Sequence, residues 1–253
     1  MCQHGHCING KRDTCSSVKN RPWKPQCKKM HLIQSYGLFP CITQWVIQFL
    51  GVSCYDFLNY GTPPPELSAE AIKDALIKHE IYKDLGYVNY PKHMLQVNYE
   101  VHHLQLGTRV PDYLAIIPPD GINYTHYDKL GHYALLVVGL DVPTREKPSH
   151  RSYRHMTLAN IPEDRFLSAE CLVKYEWMDA PYEIGLHRVV FLLFKQEGEK
   201  PIVYDESSLK RREIDKLRSN FSAIKFSSKY NLGDPVAVNF FFTQIDENHI
   251  EEH

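Results

Sequence analysis

The chain has 253 residues, enough for one large domain or two small ones with a real buried core. Lys and Arg total 29 against 30 for Asp and Glu, and that balance argues against a general nucleic-acid binder, whose phosphate contacts need a basic excess. With 43% hydrophobic and 23% charged residues the chain is neither disordered nor multispanning, and its 16 Tyr, 11 Phe and 16 Pro lean toward strands and turns.

Cys2, Cys7, Cys15, Cys27, Cys41 and Cys54 all fall in the opening stretch, and only Cys171 lies beyond it. A disulfide-stapled fold spreads its cysteines through the body, so the main domain is expected to stand without bridges. The start Cys2-Gln-His-Gly-His-Cys7 has a superficial look of zinc, but it lacks the matched ligand halves of structural zinc sites. No metal site is expected. Residues 37–58 form the one extended apolar stretch, which is broken by Pro40, Gln44 and Gln48 and falls short of a spanning helix. Read from Met30, it resembles a secretory signal ending in Gly51-Val-Ser53; an amphipathic or core segment fits equally. The compartment therefore stays open: secreted if translation or processing follows segment 30–54, cytoplasmic otherwise. The sequons Asn123-Tyr-Thr125 and Asn220-Phe-Ser222 are compatible with secretion.

Pro63-Pro-Pro65 separates this leader (1–65) from a body expected over 66–247, with a polar tail at 248–253. Ser68 is placed to cap a helix whose Ala71, Ile72, Ala75 and Leu76 share one face. From about residue 94 the period becomes two, with Leu95, Val97, Tyr99 and Val101 alternating as in a half-buried strand. Tyr133–Leu140 and Val189–Phe194 are continuous apolar runs, the mark of strands covered on both faces. Ile214, Leu217, Phe221 and Ile224 predict a late helix over 208–229. After Gly233-Asp-Pro235, a last strand is expected to put Val236, Val238, Phe240 and Phe242 on one face.

No GxGxxG, Walker A, HExxH or GxSxG motif occurs, and no activated nucleophile or paired carboxylates stand out. Two histidines attract attention. His155 follows the charged loop Asp141–Pro148, and His187 sits in Gly185-Leu-His-Arg188 just before VVFLLF. Both are polar groups at strand ends beside apolar walls, where small-ligand pockets form. An imidazole there can meet a phosphate or carboxylate, and an anion would raise its pKa. The alternative is that each satisfies a backbone carbonyl.

At these residues the sequence resembles the phosphatidylethanolamine-binding protein family, which includes the Raf kinase inhibitor protein. Gly185-Leu-His-Arg-Val-Val-Phe-Leu-Leu-Phe-Lys-Gln196 is close to the family run GLHRYVFLLYKQ. Lys229–Phe240 is similar to the closing YxLGxPVAGNFF, and Leu140–Arg145 through His155 to Asn160-Ile-Pro162 is similar to DPDAPSR followed by HWLVxNIP. The likeness runs over about residues 66 to 247. It implies a mostly β fold, with a large central antiparallel sheet, a smaller second sheet and a few peripheral helices. It also implies a small pocket for an anion such as a phospholipid head group, with His155, His187, Asp141, Tyr175 and Pro181 in the matching places.

Departures accompany the matches. The loop's first aspartate is Gly139 here, its proline is Leu140, the tyrosine after the second histidine is Val189, the tryptophan after the first is Met156, and the segment glycine is Trp177. The resemblance thus implies a monomeric, non-enzymatic binding protein without cofactor, catalytic residues or membrane span, its pocket altered or partly degenerate. The rivals are a protein-interaction regulator, in the manner of kinase or serine protease inhibitors, and a structural component such as a mitochondrial ribosomal protein of this fold.

Overall fold

The computed structural model describes residues 63–100, 102–177, 185–210 and 215–246. Residues 1–62 of the expected leader with their cysteines and signal-like segment, Val101 and Ile214 of the expected strand and late helix, and the tail at 248–253 lie outside the described residues. The strands are β1 (His93–Met94), β2 (Gln96–Tyr99), β3 (His102–His103), β4 (Thr108–Arg109), β5 (Gly121–Asn123), β6 (His132–Gly139), β7 (Tyr153–Pro162), β8 (Glu170–Val173), β9 (Gly185–Lys195) and β10 (Ala237–Ile245). The helices are α1 (Ala69–Lys78), α2 (Ile81–Leu85), α3 (Asp112–Ala115), α4 (Asp215–Arg218) and α5 (Ala223–Lys229).

Seven strands make the large sheet, in the order β1-β10-β9-β6-β7-β8, with β4 also on β10. Its long strands pair antiparallel. The two-residue strands β1 and β4 lie parallel to β10, so this edge is mixed. A three-stranded antiparallel sheet, β3-β2-β5, is the smaller second layer.

The continuous apolar runs have a direct physical use. Along β9, Val189, Phe191 and Leu193 enter one core while Val190, Leu192 and Phe194 enter the other, and β6 and β10 divide in the same way. The first core lies toward the small sheet and takes Val97 and Tyr99 from β2 and Leu114 from α3. The second takes Ile72 and Leu76 from α1, Tyr82 from α2 and Phe226 from α5. The large sheet is therefore a middle layer, covered by the small sheet with the short α3 on one side and by helices on the other. Ser68 caps α1 as its spacing predicts, its hydroxyl accepting from the Ala71 amide at 3.2 Å.

Two expectations need correction. The late helix is not continuous: α4 ends at Arg218, Asn220 takes a left-handed φ of 55°, and Ser222 caps a separate α5. Leu217 is exposed while Arg218 is buried, opposite to the expected apolar face, because the Arg218 guanidinium is drawn inward by backbone carbonyls. In the last strand, Val238, Phe240 and Phe242 share a face, but Val236 packs against the other core.

Candidate functional site

His155 owes its position to an irregularity in the sheet. Val137 pairs with Met156 and Val138 with Arg154, so His155 is the extra residue of a β-bulge on β7. Bulges re-aim a side chain, and here the imidazole packs among aromatic rings of the small-sheet side. Trp177 stacks on it at 5.0 Å and 14°, Tyr175 at 5.9 Å and 21°, and Tyr153 leans against it at 5.1 Å. The ring is wholly buried.

Its two nitrogens differ. Nδ1 lies 2.8 Å from the Glu176 carbonyl, which can only accept, so Nδ1 carries the proton. Burial, set against that hydrogen bond and aided by electrostatic repulsion from the Arg218 and His187 side, pushes the pKa of His155 down to about 4. The ring is thus neutral near pH 7, and Nε2 is a bare lone pair. That atom is buried and has no hydrogen-bond partner among the described residues.

Gly139 faces this lone pair. A Cβ at residue 139 would stand 2.7 Å from His155 Nε2, closer than real side chains come. Where the family pattern has an aspartate, this chain has room for none, because the imidazole occupies the space.

The other candidate residues serve structural neighbours. Asp141 is fully buried, and its Oδ2 accepts from the Arg188 amide at 2.9 Å and from Arg188 Nε at 2.8 Å. Its Oδ1 lies 2.5 Å from Arg188 Nη2 and 3.4 Å from Arg151 Nη2. Arg188 continues to Asp84 Oδ2 and the His79 carbonyl, each at 2.7 Å, joining β9 to the start of the charged loop and to α2. Tyr175 donates its hydroxyl to the Ala115 carbonyl at 2.5 Å, and burial raises its pKa, keeping it a donor. His187 is 2% exposed and lies opposite Thr243 on β10, near enough to His155 for the two rings to interact electrostatically. Pro181 lies outside the described residues. The structure therefore gathers His155, His187 and Tyr175 at one end of the large sheet, while the Asp141 carboxylate is turned to arginines.

Sequence reasoning missed a second cluster. Glu66, His93 and His126, 27 and 60 residues apart from the glutamate, place their donor atoms within 4.8 Å of one another. No short spacing links them, and only the fold brings them together. Among the described residues no helix is long and apolar enough to cross a membrane.

No family model matches the chain. A curated relative, "Putative odorant-binding protein A5" of Drosophila melanogaster, is 31% identical over 120 residues, which are 47% of this chain and 56% of the fly protein. The chain thus spans little more than half the length of that relative. Among solved structures, a carboxypeptidase Y inhibitor complexed with its cognate proteinase superposes with a TM-score of 0.60 at 21% identity, over 70% of this chain and 97% of the inhibitor. A phosphatidylethanolamine-binding protein from Plasmodium vivax gives a TM-score of 0.57 at 18% identity, over 74% of this chain and all of the parasite protein (100%).

Proposed function

Starting from a chain that resembles the phosphatidylethanolamine-binding proteins in its motifs and has their fold, we propose that it is a non-enzymatic binding protein for a small molecule that donates a hydrogen bond to His155. The observation that carries this is the buried Nε2 of a neutral imidazole, without a hydrogen-bond partner among the described residues. An unsatisfied buried acceptor costs about 1–3 kcal/mol, and a ligand hydroxyl or amine that satisfies it recovers that amount. A bare phosphate dianion offers this nitrogen only lone pairs, and the ring that would have to become cationic resists protonation. The anionic head group implied by the resemblance is therefore the weaker ligand for this site. Trp177, Tyr175 and Tyr153 pack on the imidazole itself, so a ligand reaches Nε2 by displacing these side chains and would present an apolar body to them. The fly relative's name, a putative odorant-binding protein, supports a ligand-binding reading. Among the described residues no nucleophile or carboxylate lies within a hydrogen bond of Nε2, which supports binding without turnover.

Nitrogen-15 NMR of the histidine side chains, recorded at about pH 8 during titration with a medium-chain alcohol and separately with methyl phosphate, whose dianion carries no N–H or O–H donor, tests the proposal. The alcohol is expected to shift the His155 Nε2 resonance and to lose its affinity in His155→Phe, with methyl phosphate weaker by at least about tenfold. Tighter binding of methyl phosphate would restore the anion reading. Silence with both at millimolar concentration would favour a second reading, a protein-interaction regulator, to which the full burial of His155 and the inhibitor's shared fold lend support.

A further inference from the structure

Away from His155, three side chains from three separate elements converge on the surface. Glu66 precedes the cap of α1, His93 opens β1, and His126 lies in the turn after β5. His93 Nδ1 is 3.1 Å from Glu66 Oε1, and His126 Nε2 is 2.7 Å from Glu66 Oε2. The two imidazoles stack with centroids 3.8 Å apart and planes 24° from parallel. Tyr124 packs against both rings, at 6.3 Å from His93 and 6.1 Å from His126. Both imidazoles also line a cleft of about 300 Å³ shared with Asp128 and Lys195. The three side chains are 33–39% exposed, within reach of a solvent ion.

We propose that Glu66, His93 and His126 form a zinc site. Two imidazole nitrogens and one carboxylate oxygen are the donor set of an open, four-coordinate zinc, with a solvent ligand in the fourth place. Zinc–ligand bonds of about 2.0–2.2 Å put neighbouring donors roughly 3.3–3.5 Å apart, so donors already within 4.8 Å need only small side-chain movements. The metal takes the place now held by ring N–H groups. His93 binds through Nδ1 with its proton on Nε2, and His126 through Nε2 with its proton on Nδ1, so both rings stay neutral. Nitrogen donors exclude magnesium and calcium, which prefer all-oxygen sets, and favour zinc and its neighbours in the transition series. Bound metal would fasten the segment before α1 to the edge of the large sheet and to the β5 turn.

The leader carries its own thiols, so the test uses the full chain with its cysteines alkylated. Calorimetric titration with zinc chloride is expected to show one site, and zinc but not magnesium is expected to raise the melting temperature. Both effects should vanish in the double variant His93→Ala/His126→Ala, and Glu66→Gln should weaken affinity by more than about tenfold. His102→Ala, an exposed histidine outside the cluster, should leave both unchanged. Circular dichroism checks that each variant is folded. Equal zinc uptake in the alkylated parent and the double variant, or no uptake by the parent at about 100 µM zinc, overturns the site.

Discussion

The departure at Gly139 and the burial of His155 are two views of one arrangement. With a side chain at 139 the imidazole could not sit where it does, and with the imidazole there the usual carboxylate has no place. The consequence for the ring is a lone pair facing glycine and a pKa pressed down from 6.5 to about 4, chiefly by burial. A depressed base makes stability depend on pH in a definite direction. Between about pH 6.5 and pH 4 the unfolded chain binds a proton at this residue that the folded chain refuses. The contribution of His155 is therefore intact above about pH 6.5 and declines as pH falls toward 4, by about 3 kcal/mol over the window. Urea midpoints at about pH 7.5 and pH 4.5 should differ more in the parent than in His155→Phe, which keeps the bulk and removes the titration. Equal pH sensitivity in the two proteins would mean that the ring is solvated and the acceptor argument fails.

Among the elements, those legible in the sequence were the ones whose pattern the sheet enforces. Continuous runs at β6 and β9 became strands with a core on each face, and Ser68 became a cap, because burial and capping act locally. The late helix failed for a reason that periodicity does not carry: Arg218 is pulled inward by the carbonyls of Arg154, His155 and Lys174, and the chain turns left-handed at Asn220. The candidate site was legible only in part. Motif likeness located His155 and His187, but a bulge aims His155, and no residue type announces a bulge. Asp141 likewise reads as a pocket carboxylate in sequence and serves as the partner of Arg188 in space. That ion pair joins β9, the charged loop and α2, and Asp141 and Arg188 are both 1% exposed or less. Removing one member of a buried pair leaves an uncompensated charge, so Arg188→Met should destabilise by about 3–5 kcal/mol in urea unfolding. The double variant Asp141→Asn/Arg188→Met should lose clearly less than the two single losses added together. Strict additivity would show that the pair does not act as a unit.

At the scale of the molecule, one sheet serves two cores. Each long central strand sends alternate residues to opposite sides, so neither core can open without disturbing the backbone that carries the other. This coupling bears on how a ligand could enter near His155: opening at the sheet's end must be confined to side chains and loops, since separating the strands would expose both cores. Phe191 belongs to the small-sheet side and Phe194 to the helix side, and both are fully buried. Phe191→Ala and Phe194→Ala should each destabilise by about 3–5 kcal/mol. In each variant, near-ultraviolet and far-ultraviolet circular dichroism should still report a single coincident transition. A variant that loses aromatic packing at a lower denaturant concentration than secondary structure would show the two cores yielding separately. The site beside β7 could then open by releasing one layer, and a larger ligand than a small hydrogen-bond donor would have to be considered.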